Sequence, residues 1–212
     1  MPTLSKTNLE ALAKEAKKEL AKRYYRDYVV HVHHGNYEHY RHTELVCEVL
    51  QRIADGEQLS VLIEMPPRHG KPMTVTESFP SFYLAKNPDK RVIAAAYSDE
   101  LATKFGRLNR NKFNEFSHLF DLKLSETNGA MKDWGVEDHC GGMIAGIGGS
   151  ITGQGADLMI IDDPIKNMQE ASAKIIRKAI MEQTEPCAVP SSRSSWYYFR
   201  ANDSRAPSEV GD

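Results

Sequence analysis

Three short apolar runs constrain this chain more than any other feature: "LSVLIEM" (59–65), "RVIAAAY" (91–97) and "LMIIDD" (158–163). Each is too short for a helix, is rich in aliphatic residues and is bounded by turn-forming or charged residues, so each reads as a buried strand. The runs are continuous rather than alternating, which means that both faces of the strand are covered. Helical patterns stand between them. "TVTESFPSFYLAKNP" reads as a helix that Pro80 kinks or shortens, and "SDELATKFGRLNRNKFNEF" as one capped by Ser98 or Asp99. Strands alternating with helices predict an α/β fold with a mostly parallel sheet and helices on both faces. The glycine-rich segment 140–157 is expected to be a hairpin or turn leading into the last strand.

The flanks read differently. Residues 4–28 have Leu9, Leu12, Ala13, Ala16 and Leu20 at three- and four-residue steps and are expected to form one helix, with the basic residues as a solvated face. "HVHHGNYEHYRH" holds His31, His33, His34, His39 and His42 without accompanying Cys or acidic clusters, which argues against a metal site. A further helix is expected over Thr43 to Ala54, with Leu45, Val46, Val49, Leu50 and Ile53 on one face. After about Gln183 the chain is rich in Pro and Ser, lacks sustained periodicity and is expected to be an irregular tail rather than another strand. The organisation expected is a helical segment (1–56), an incomplete nucleotide-binding core (57–183) and a tail foreign to the fold (184–212).

Composition excludes several classes. A net charge of -2 gives no global basic signature, so nucleic-acid contact would need a local patch. Lys104, Arg107, Arg110 and Lys112 offer one, although an ordinary wet helix face is the favoured reading. Cys47, Cys140 and Cys187 are too widely spaced for a disulfide framework or a zinc site, which fits a reducing cytoplasm. No apolar stretch reaches the roughly 18 residues of a membrane span.

The chemistry concentrates where the first strand ends. "MPPRHGKPM" carries the chain from that strand through a turn to Gly70-Lys71. A nucleoside triphosphatase of the P-loop kind needs backbone N–H groups at a helix N-terminus to hold phosphates. It also needs a lysine for the β- and γ-phosphates and carboxylates at a nearby strand end for Mg²⁺ and water. Pro67, Arg68, His69, Gly70, Lys71, Pro72 and Met73 supply a candidate loop. Asp162 and Asp163 end an apolar strand, where ligands sit in open α/β sheets. Each half is weak alone, but the order and the elements that carry them raise the ATP–Mg²⁺ reading above coincidence.

"PPRHGK", "FYLAKNPDKRVIAAAYSDELA" and "GGSITGQGADLMIIDDPIKN", with the leading "LIEM", together resemble the large subunit of tailed-phage terminases over about residues 20–182. The resemblance implies a P-loop ATPase that drives duplex DNA into a capsid in the bacterial cytoplasm. Its implied partners are a small terminase subunit, a portal and further copies of itself. By position, Lys71 would bind the β- and γ-phosphates, Asp162 would hold Mg²⁺, and Asp163 would orient the attacking water. Arg68 would sense or stabilise the γ-phosphate, and His69 lies in the same loop.

Three departures qualify it. Met65 stands where the usual loop begins with glycine, a variant common in terminases. Pro72 replaces the Ser or Thr that follows the lysine, removing a Mg²⁺ ligand and an N–H. Thr74, about 200° further round a helix, is not expected to substitute. The chain is also expected to stop before the strand that couples hydrolysis to movement and before the nuclease domain, as a truncated or frame-altered product would. The alternatives are a non-catalytic prophage remnant with weak or no nucleotide binding, a helicase-like P-loop ATPase, which "IIDDP" disfavours, and a plain α/β binding module.

Overall fold

A computed structural model describes residues 6–146 and 155–162, and the backbone of 195–201. Three helices precede the first strand: α1 (Lys6–Arg23), α2 (Tyr25–Val32) and α3 (Arg41–Ala54). The single helix expected over 4–28 is broken at Tyr24, which is extended at φ -120° and ψ 127°. The break turns Tyr25 and Tyr28 inward, where both are fully buried against Phe82, with Tyr25 also edge-on to Phe79. Gln51 on α3 accepts the Tyr25 N–H at 2.6 Å, satisfying a backbone donor at the start of α2. The periodic leucines of α1 identified a helix but not a partner: Leu9, Leu12 and Leu20 are exposed, and Ala21 is buried.

On α3 the buried positions are Thr43, Cys47, Leu50, Ile53 and Ala54, a stripe rotated from the expected one, with Leu45 left exposed. Local chemistry accounts for Thr43, whose hydroxyl accepts the Tyr40 N–H at 2.9 Å at the helix start.

The sheet is mixed and has seven strands. They are β1 (Val61–Met65), β2 (Arg91–Ala96), β3 (Leu124–Gly129), β4 (Asp133–Val136), β5 (Gly142–Gly146), β6 (Leu158–Asp162) and β7 (Ser195–Ala201), in spatial order β1-β7-β6-β2-β5-β4-β3. The pairings β1–β7, β7–β6, β6–β2 and β2–β5 are parallel; β5–β4 and β4–β3 are antiparallel. The three expected strands are present. Within the glycine-rich segment expected as a hairpin or turn, residues 142–146 form β5, antiparallel to β4, and glycine is what admits it; residues 147–154 lie outside the described residues. A Cβ on Gly142 would stand 2.5 Å from the Trp134 carbonyl oxygen, and one on Gly141 2.0 Å from that of Pro88.

The largest correction concerns the tail. Residues 195–201, expected to lie outside the sheet, form β7 between β1 and β6, with Met65 opposite Ala201 and Asp162 opposite Phe199. The Trp-Tyr-Tyr-Phe run has strong strand preference, but the Pro- and Ser-rich residues around it hid the signal. A strand that separates β1 from β6 belongs to the fold.

The region after the loop forms two helices, α4 (Lys71–Thr74) and α5 (Phe79–Lys86), rather than one. Pro80 lies in the first turn of α5, where its missing N–H has no intrahelical partner to lose. All of Phe79–Ala85 is buried. α6 (Asp99–Phe116) starts at Ser98, whose hydroxyl accepts the Leu101 N–H at 3.2 Å. Among the described residues, the helices share one core with Val92, Ala94, Leu158 and Ile160. Ile93, Ala95, Met159 and Ile161 form a separate cluster on the opposite sheet face. The expectation of helices on that second face lies outside the described residues.

Candidate functional site

Because β1, β7, β6 and β2 run parallel, their carboxyl ends share one edge, with Asp162 in register with Ala96 on one side and Phe199 on the other. The loop after β1 reaches that edge through two left-handed residues, Arg68 (φ 65°) and Gly70 (φ 84°). Gly70 caps α4, and its positive φ is the reason for a glycine there. Pro67, Arg68 and His69 are exposed. His69 Nδ1–H donates to the Pro67 carbonyl at 2.9 Å, and His42 Nε2–H donates to the His69 carbonyl at 3.1 Å. These bonds tie the loop to itself and to α3.

Lys71, by contrast, turns inward. Its Nζ lies 2.8 Å from Asp162 Oδ1, and the two side chains are only 5% and 4% exposed. The structure therefore joins the expected cation and the expected carboxylate directly, although β1 and β6 are not sheet neighbours. Burying two charges is costly unless they are paired and hydrogen-bonded. Here the second carboxylate oxygen is also engaged: Thr76 Oγ1 donates to Asp162 Oδ2 at 2.8 Å. Pro72 is exposed on the first turn of α4 and Met73 is half-buried. Asp163 lies outside the described residues.

Below the loop, a set of polar side chains fixes the segment from Thr74 to Ser81. Tyr25 OH donates to the Thr74 carbonyl. Thr74 Oγ1 donates to the Gly70 carbonyl at 3.0 Å and accepts from Tyr37 OH at 2.6 Å. These bonds hold the Thr74 hydroxyl between the Gly70 carbonyl and Tyr37. Ser78 Oγ donates to the Met73 carbonyl at 2.8 Å, so His33 Nε2–H is the donor to Ser78 at 2.9 Å. Burial holds the His33 pKa below its ordinary value, which favours the neutral imidazole. Asn109 on α6, wholly buried, donates to the Thr76 carbonyl at 2.7 Å and accepts the Ser81 N–H at 3.1 Å. The sequence offered no motif for Thr76, Asn109, Tyr25 or Tyr37; two threonines close behind Pro72 were the signal at hand.

The basic residues of α6 divide. Lys104 pairs with Glu77 at 2.7 Å, and Lys112 donates to the Glu77 carbonyl at 2.6 Å. Arg107, with Tyr97, Lys104 and Met131, lines an open groove of about 550 Å³. Desolvation by burial lowers the Lys112 pKa from 10.5 to about 8. Between those values the unfolded chain holds a proton that the folded chain has released, so stability rises with pH across the window. Relative to Lys112→Met, the wild-type unfolding free energy should increase by about 3 kcal/mol from pH 8 to 10.5. Denaturant titrations over that range check this, and a flat difference would refute it.

A family model described as "Terminase large subunit, T4likevirus-type, N-terminal" matches residues 62–204, more than half of the chain. The chain belongs to the terminase large subunit family. A comparison with curated proteins gives no match. Membership gives this terminase a role in phage DNA packaging. The matched span takes in the loop, Thr76, Asn109, Asp162 and also β7, against the expectation that the sequence after Gln183 is foreign to the family. No helix among the described residues is long and apolar enough to cross a membrane.

Proposed function

We propose that this terminase chain is the P-loop ATPase portion of the packaging motor, coupling ATP hydrolysis to translocation of duplex DNA. The observation that carries the reading is the buried Lys71–Asp162 pair, which links the loop after one parallel strand to the carboxyl end of another. With nucleotide bound, Lys71 would hold the β- and γ-phosphates and Asp162 would hold Mg²⁺. The donor chemistry fits, since Mg²⁺ takes oxygen ligands and is commonly held by one or two carboxylates, substrate phosphates and water. Bound Mg²⁺ supplies charge neutralisation between the phosphates. Asp163 orients the attacking water, and the exposed Arg68 reaches the γ-phosphate from the loop, with His69 beside it. Duplex DNA, a small terminase subunit, a portal and other copies of the chain are the partners of that activity.

A second reading, a non-catalytic remnant, is favoured by Pro72, which has neither the hydroxyl nor the N–H expected at its position. Contacts to charged groups are each worth about 1.5–3 kcal/mol. Pro72→Ser should therefore raise Mg-ATP affinity tenfold or more and increase ATP hydrolysis. Nucleotide titration with and without Mg²⁺, followed by a turnover assay, checks both readings. No Mg²⁺-dependent binding by either protein would sink the ATPase assignment; binding without turnover in both would favour the remnant.

A further inference from the structure

We infer that Thr76 is a positioning residue for the metal-binding carboxylate; this rests on the nucleotide-site reading above. Asp162 has two oxygens with different partners. Oδ1 faces the Lys71 ammonium and Oδ2 accepts the Thr76 hydroxyl proton, both at 2.8 Å. Lys71, Thr76 and Asp162 are 4%, 1% and 3% exposed, so water does not compete strongly for these contacts.

The consequence appears when Lys71 leaves for a phosphate. A carboxylate held only by that lysine would be free to rotate as its partner departs. With Oδ2 held by Thr76, the plane of the carboxylate would be kept while Oδ1 exchanged the ammonium for a nucleotide-bound cation. Thr76 keeps its own position because Asn109 holds its carbonyl and bridges to the Ser81 N–H. The role assigned to Thr76 is to donate to Asp162 Oδ2, not to ligate the metal. Thr76 supplies the orientation, so Pro72→Ser and Thr76 act on separate deficits.

The test is the Mg²⁺ dependence of binding of a fluorescent ribose-labelled ATP to the full chain, in EDTA and across a Mg²⁺ titration, with Thr76→Val, Thr76→Ser and Thr76→Cys. Val is nearly isosteric but cannot donate, Ser keeps the donor, and Cys donates weakly. Thr76→Val should raise the Mg²⁺ concentration for half-saturation about tenfold while leaving metal-free binding unchanged, Thr76→Ser should restore the wild-type value, and Thr76→Cys should fall between. If Thr76→Val does not fold, the Cys variant decides: wild-type Mg²⁺ dependence there overturns the inference. It is also overturned if Thr76→Val matches the wild type, or if it loses metal-free and metal-dependent binding equally. Absence of Mg²⁺-dependent binding in both the wild type and Pro72→Ser overturns the nucleotide reading itself, a separate outcome.

Discussion

Lys71→Met should lower the unfolding free energy by about 3–5 kcal/mol, the usual cost of removing one partner from a buried ion pair. The size follows from where the charge that remains is placed. Asp162 is buried at the centre of a parallel sheet edge, and its Oδ1 faces Lys71 Nζ at 2.8 Å. Methionine fills much the same space, so little of the loss comes from packing. The Thr76 hydroxyl still donates to Oδ2 in the variant, but a neutral donor does not replace the ammonium charge beside a carboxylate in low dielectric. The double variant Lys71→Met with Asp162→Asn should recover more than half of the loss, because the amide carries no charge and can still accept from Thr76. Denaturant unfolding of the two single variants and the double variant measures the coupling. A Lys71→Met loss below 1 kcal/mol would show that the pair is hydrated rather than buried.

Asn109→Leu should cost about 2–5 kcal/mol, since it strips partners from two buried backbone groups at about 1–3 kcal/mol each. Asn109 donates to the Thr76 carbonyl at 2.7 Å and to the Phe105 carbonyl at 3.0 Å, and accepts the Ser81 N–H at 3.1 Å. Phe105 is within its own helix, so the groups that suffer most are Thr76 and Ser81, on the segment leading from the loop into α5. Leucine matches the volume and tests the hydrogen bonds rather than the space. Native-state hydrogen exchange gives the local readout: the Ser81 amide should lose protection in the variant while amides in β2 keep theirs relative to the global stability. Unchanged exchange at Ser81 would mean that α5 is held by packing alone.

These two predictions start from opposite ends of what could be read beforehand. Lys71 and Asp162 stood out because each ends a recognisable element, and the chemistry of phosphate and metal needs a cation and an acid there. Asn109 did not stand out. It sits mid-helix among polar residues, and a helical period marks which residues share a face without identifying a partner. The same gap misassigned α3, where Thr43 and Cys47 are buried in place of Leu45, and left the α1 leucines without a described partner. Strand β7 failed for a different reason: an isolated strand has no signal beyond its own few residues, and non-local pairing with β1 and β6 makes it a strand.

By itself, the sequence determined the strand–helix alternation, the loop and the acid at a strand end, because these depend on short-range patterns of side-chain type. Only the tertiary structure decided that β7 lies between β1 and β6, that Lys71 is buried against Asp162, and that Thr76 holds the other carboxylate oxygen. The reason is distance along the chain. Packing brings residues from β6 and α6 onto the segment after the loop, and no local pattern encodes which hydroxyl, amide or carboxylate will meet there.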